Sequence, residues 1–142
     1  VWYGRGPEES YRDFKQGAPL GIWRRNVTDM YFPYVRPQEH GGHTDTRWVW
    51  LGDHRSGVLF SGSETFSFTA LHYSSEQLDA ATHTNELIPD KDIWLTLDYM
   101  HQGLGSASWG AEATDDQTLV PKPFCFHWSM KPVSARDLEQ LL

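Results

Sequence analysis

Cysteine is almost missing from these 142 residues, with Cys125 standing alone. One cysteine can neither close an intrachain disulfide nor build a multi-cysteine zinc site, and this favours a reducing compartment. Basic residues are also scarce: 12 Lys and Arg face 19 Asp and Glu, for a net charge of −7. Phosphate backbones need a basic face, and Arg24-Arg25 is too small to supply one, so nucleic acid is not an expected partner. No apolar run approaches the ~20 residues that span a bilayer, and no signal peptide is visible, so no membrane partner is expected. The chain opens on "VWYGRGP", which reads as the middle of a longer polypeptide.

Aromatic residues are what the chain has in excess. Phe, Trp and Tyr make up 14% of it, and seven are tryptophans. Flat side chains pack well on a pleated surface, which favours sheet. Trp2 to Ile22 is interrupted by Gly and Pro and reads as loop and turn. Thr28 to Thr46 reads the same way, since Pro33 and Pro37 force extended geometry on the residues before them. From Thr46 the pattern changes to period two. Trp48 and Trp50 share one face of "TRWVWLG", and Phe66, Phe68 and Ala70 share one face of "ETFSFTALHY". "GVLFSG", "DIWLTLDY" and "FCFHWSM" continue the strand pattern, with "DHRSG" as the first hairpin turn. "SSEQLDAATHTNEL" is the one internal helix expected, opened by a Ser74/Gln77 capping box with Leu78, Ala81 and His83 near one face. Ser134 opens a second short helix in "SARDLEQLL". The sum is an all-β sandwich with one or two short helices.

Candidate chemistry is thin. His40 and His43 in "HGGH" lack the further ligands that zinc requires, so they read as loop residues and no metal site is expected. His83 reads as a satisfied core histidine. Cys125, between Phe124 and Phe126, reads as an inert buried thiol. There is no G-x-S-x-G elbow. Glycosidic acid/base work needs two carboxylates set across the scissile bond. Glu8, Glu9, Glu39, Asp98 and Glu112 are available, but nothing in the sequence pairs any two, so no catalytic residue is assigned. Trp48, Trp50, Trp94 and Trp128 read as core or inter-domain packing. "HQGLGSASWG", His101 to Gly110, is different. It is glycine-rich but has no Lys for phosphate and no flanking apolar residues to bury its tryptophan. The residues alone leave ligand contact and inter-domain contact open for Trp109.

Four blocks occur together and in order: "YGRGPEESYRD", "MYFPYVRPQEHGGHTDTRW", "HYSSEQLDAATHTNEL" and "LDYMHQGLGSASWG". They resemble the C-terminal small-chain domain of the large bacterial β-galactosidases of glycoside hydrolase family 2, over nearly the whole chain to about Met130. The resemblance implies a galactose mutarotase-like β-supersandwich, of which residues 1–142 would form the later half. It places the two catalytic glutamates in a (β/α)8 barrel that this chain does not contain. It implies no cofactor in this segment, with Mg2+ and Na+ in other domains of the parent. It puts on Trp109 the role of a loop tryptophan that reaches the barrel and stacks on the leaving sugar. In that reading Ser108 sets the indole's approach, while Gly103 and Gly105 give the turn its backbone freedom. The family's "GPxExYxDR" reads Asp13-Phe14 here, without the usual Arg. Its "PQENG" is Pro37 to Gly41 with His40 in place of Asn.

The resemblance thus implies a fragment of a cytoplasmic, oligomeric β-galactosidase acting on terminal β-D-galactosides such as lactose. Its partners would be the rest of that chain or its large subunit, together with the galactoside. Alone, the fragment is expected to be inactive. The alternative is a non-catalytic carbohydrate-binding or assembly module, in which Trp109 is buried against another chain. Epimer chemistry on free galactose has only the fold analogy behind it.

Overall fold

The computed structural model describes residues 1–105, 110–140 and 142. Among them six strands form one antiparallel sheet: β1 (Trp2–Arg5), β2 (Leu20–Trp23), β3 (His43–Gly52), β4 (Ser56–Leu71), β5 (Trp94–Asp98) and β6 (Trp128–Ser134). The order is β2-β1-β3-β4-β5, with β6 also pairing β4. The all-β class expected from the period-two pattern is therefore present. Two short helices accompany the sheet, α1 (Ser75–Ala80) and α2 (Ala135–Glu139).

Strand β4 organises the rest. Its 16 residues join two stretches that the sequence presents as separate strands. One edge pairs with β3. The other pairs with β6 from Ser56 to Gly62 and with β5 from Ser67 to Leu71, end to end. The expected hairpin turn follows β3, and Asp53 Oδ1 closes it by accepting the amides of Arg55 (2.8 Å) and Ser56 (3.0 Å). The last strand lies further along the chain than expected. Phe124 and Phe126 precede it, and pairing runs from Trp128 to Ser134 because β4 offers a bare edge there. Pro132 is tolerated because β6 is an edge strand.

Each face of the sheet carries its own core. On one side Trp2, Val49, Phe66, Phe68 and Ala70 pack with Met30. On the other Trp50, Val133 and Leu138 pack with Trp48 and Leu59. Trp48 and Trp50 do share a face, opposite Val49. Trp94 and Trp128, by contrast, remain about half exposed.

Several expectations change. Trp2 to Ile22 contains β1 and most of β2, which pair in register from Trp2↔Trp23 to Arg5↔Leu20. Gly4 and Gly21 leave blanks in so short a period-two pattern, so no strand signal survives. β3 begins at His43 rather than Thr46, and its register shifts between His43 and Trp48. Asp45 sits in that irregular stretch with φ of 54°. Arg5 Nε holds its carboxylate at 2.5 Å and Lys15 Nζ at 3.1 Å. Helix α1 has its full Ser74/Gln77 capping box but stops at Ala80. His83 is not a core residue: it is exposed and opens a 3₁₀ turn at Thr84–Glu86. Cys125 is not buried either; it is exposed, with Sγ 3.6 Å from His127 Nε2.

The histidines of "HGGH" are the opposite case, and both are buried. His40 Nδ1 donates to the Gln38 carbonyl (2.8 Å), and its ring meets Tyr31 edge-on. His43 lies against Trp2 and stacks on Phe68 at 5.0 Å between centroids. Burial lowers the His43 pKa to about 4, against a weaker opposing effect from the Arg5 carbonyl. The ordinary value of 6.5 is higher, so between the two the unfolded chain takes the proton first. Stability from this residue is complete above pH 6.5 and is lost as pH falls toward 4, by on the order of 3 kcal/mol. Urea midpoints measured from pH 7 to pH 4 should therefore drop more steeply for the wild type than for His43→Leu.

Candidate functional site

The glycine-rich loop leaves the sheet at the end of β5. Tyr99 fixes its departure by stacking on Phe124, 4.9 Å away and within 4° of parallel, and by leaning on Phe126. His101 follows, its ring 5.9 Å from that of Tyr11. Three amides then anchor the turn. Gly103 N donates to the Gln117 carbonyl (3.0 Å). Leu104 N donates to Asp13 Oδ1 (2.9 Å), and Gly105 N to Asp13 Oδ2 (2.8 Å).

Asp13 reaches the loop because its own segment is held tightly. Tyr11 and Phe14 exchange two backbone hydrogen bonds of 2.9 Å, which turns Asp13 outward. Ser10 ties this turn to β3 by accepting the Thr44 amide (3.0 Å), and its hydroxyl meets that of Thr44 (2.9 Å). Arg12 adds a second tie by donating to the Asp116 carbonyl (2.7 Å). Partial burial works to raise the Asp13 carboxyl, but the amides of Gly105 and Leu104 outweigh it and hold it below the usual carboxylate range.

Both expected glycines are required where they stand, for different reasons. Gly105 has φ of 61°, and an added Cβ would lie 2.4 Å from the Ala113 amide nitrogen. Gly103 has ordinary backbone, but an added Cβ would lie 2.8 Å from Asp13 Oδ2. Ser108 and Trp109 lie outside the described residues. Beside the loop root a cleft of about 230 Å³ opens between Arg12, Lys15, Asp45, Glu64, Tyr99 and His101.

The acidic candidates divide by partner. Glu9 accepts from Tyr11 (3.1 Å), from the Gly41 amide (2.8 Å) and from Tyr34. Glu8 pairs with Arg25 at the surface. Glu39 and Asp98, which the sequence does not pair, come together with His101, one ligand-type atom of each lying within 4.8 Å of the others. Burial raises the Asp98 pKa, with His101 opposing and Glu39 reinforcing the rise. His40 and His43 belong to no such cluster among the described residues. The residues that sequence reasoning overlooked are Asp13 as a clamp and this triad. Asp98 and His101 are three positions apart, but Glu39 lies at least 59 positions from both and Asp13 up to 92 from the amides it holds, and no local spacing signals those contacts.

The fold and site together define an all-β segment that presents a clamped glycine loop at one end of its sheet. Residues 1–130 match the family described as beta galactosidase small chain, and the chain belongs to that family. It is 36% identical over 136 residues to a protein of Priestia megaterium named Beta-galactosidase, covering 94% of this chain and 13% of that one. A Beta-galactosidase of Staphylococcus xylosus is 35% identical over 130 residues (92% and 13%). One of Streptococcus thermophilus is 37% identical over 121 residues (83% and 12%). The chain thus spans about an eighth of the length of these relatives. Among its described residues no helix is long and apolar enough to cross a membrane.

The clamp has a testable pH dependence. The Asp13 pKa is lowered on folding, so its contribution is complete above the ordinary carboxylate value and is lost as pH falls through the lower folded value. Hydrogen bonds to a charged group contribute about 1.5–3 kcal/mol, and less at an exposed site such as this. Asp13→Ala should speed amide exchange at Leu104 and Gly105 about tenfold at pH 7, and leave strand β4 protected. Wild-type protein should lose the same protection as pH falls below the ordinary carboxylate value and through the lower folded value of Asp13.

Proposed function

We propose that this chain is a β-sandwich segment of a β-galactosidase that hydrolyses terminal β-D-galactosides such as lactose. The observation that carries the reading is the Asp13 clamp: a loop held rigidly at its root, with glycine where the turn demands it, serves to present its tip. Family membership supports the parent activity. Trp109 is the group presented, and its indole offers a flat apolar face to the sugar in the leaving-group subsite. Ser108 directs its approach, while Gly103 and Gly105 shape the turn beneath.

In this reading the catalytic glutamates, and the Mg2+ and Na+ of the parent, belong to other domains, so this segment alone is inactive. Its partners are the remainder of a cytoplasmic, oligomeric enzyme, whether on the same chain or on a large subunit. The half-exposed Trp94 and Trp128 and the exposed Phe124 favour a second contribution, packing against those neighbouring domains.

Replacing Trp109 in the complete enzyme separates stacking from bond breaking. Trp109→Ala should raise KM for lactose about tenfold, the loss of about 1.4 kcal/mol of apolar contact. It should also lower the ratio of transglycosylation to hydrolysis, and Trp109→Phe should recover part of both. Unchanged KM together with an unchanged ratio would remove Trp109 from the sugar site and leave the packing role.

A further inference from the structure

One end of the sheet face that carries Trp48 and Trp50 is polar instead of aromatic. Thr44, Ser67, Thr69 and Asp98 share it by strand parity: Ser67 pairs with Asp98, and their neighbours Phe66 and Phe68 point into the opposite core. Glu39, from the connector before β3, and His101, from the loop root, close over this patch. We propose that Glu39, Asp98 and His101 bind a single divalent transition-metal ion of the Mn2+ or Zn2+ kind.

Four observations carry this. The first is convergence: ligand-type atoms from three separate segments lie within 4.8 Å of one another. Ligands of a tetrahedral ion with bonds near 2.1 Å sit about 3.4 Å apart, within the 4.8 Å that bounds these atoms. The second is charge. Among the described residues neither Glu39 nor Asp98 accepts a hydrogen bond from a side chain or an amide, and neither enters an ion pair, so the two carboxylates come together beside one imidazole with no cation paired to them.

The third is space. These three residues line a cavity of about 10 Å³ with Ser10, Tyr11 and Thr69, close to the smallest that holds one water or ion. Thr69, only 8% exposed, forms part of the cavity wall. The fourth is orientation. His101 Nδ1 lies 3.1 Å from the Gln102 carbonyl and donates to it, leaving Nε2 as a lone-pair donor. Metal-binding histidines commonly have such a carbonyl on their other nitrogen. Two carboxylates with one imidazole suit Mn2+ or Zn2+ better than Ca2+, which prefers oxygen alone.

Such an ion would join the connector, the end of β5 and the loop root. Its effect on the loop tip rests on the function proposed for Trp109; its binding does not. The test uses the complete polypeptide that carries this segment, stripped with chelator and titrated with Mn2+ while free Mn2+ is followed by electron paramagnetic resonance. The wild type should bind one Mn2+ more per chain than His101→Gln or Asp98→Asn. Glu39→Gln, at an exposed position, should weaken that one site about tenfold or more with far-UV circular dichroism unchanged. Equal stoichiometry and affinity in wild type, His101→Gln and Glu39→Gln would overturn the proposal. Because Glu39 is exposed, its variant decides the question even where Asp98→Asn fails to fold. Loss of the extra site in the variants with unchanged lactose KM supports the metal site and breaks only its link to Trp109.

Discussion

Sixteen consecutive residues of β4 keep one parity from Ser56 to Leu71, and most of the molecule follows from that constraint. A slip of one residue would exchange the two faces. As it stands, Phe60, Phe66, Phe68 and Ala70 meet one core while Leu59, Ser67 and Thr69 face the other way. Because β4 is much longer than β5 or β6, both fit along one edge of it. Their junction leaves room for the segment between them, and that segment contains the glycine loop. The loop's position is therefore a consequence of strand length.

β3 answers the same constraint at the opposite edge. It pairs regularly with β4 from Trp48 to Gly52, then shifts register at Thr46 and His43. Bulges bend a strand and re-aim its side chains. Here the irregular stretch holds Asp45 at positive φ, where Arg5 and Lys15 can both reach it. It also turns His43 inward against Trp2 and Phe68, while Thr44 faces Ser10 on the other side. One irregularity thus builds part of a core and anchors the turn from which Asp13 clamps the loop.

How much of this was legible in the sequence follows from how local each signal is. The period of two in "TRWVWLG" and "ETFSFTALHY", the Asp53 turn and the caps at Ser74 and Ser134 are local, and the structure contains all of them. β1 and β2 were not legible, because four-residue strands containing glycine leave no alternation to read. His83 misled because α1 ends at Ala80, before it could carry His83 onto an apolar face, and Cys125 because its aromatic sequence neighbours do not cover it. At the loop, the expected backbone freedom fits Gly105 at φ of 61°, whereas Gly103 has ordinary backbone and is small because Asp13 approaches it. Composition could not reveal Asp13, since a clamp about 90 residues distant is set by tertiary packing alone.

Two kinds of carboxylate meet at the loop root, and the difference between them bears on what the loop is for. Asp13 is satisfied: both its oxygens accept backbone amides, and its pKa falls despite partial burial. Asp98 is half-buried with its pKa raised, facing Glu39 with His101 as the nearby offset. Holding the turn gains nothing from the second pair, because bringing the half-buried Asp98 carboxylate beside another carboxylate costs free energy. Threonine and serine around it stabilise no apolar core, and Phe66 and Phe68 show that this sheet can build one a residue away. The polar patch is therefore consistent with the metal site proposed for it. An ion bound there, as proposed, would tie the connector before β3 to the loop root and so give the loop a second anchor point beside the Asp13 clamp.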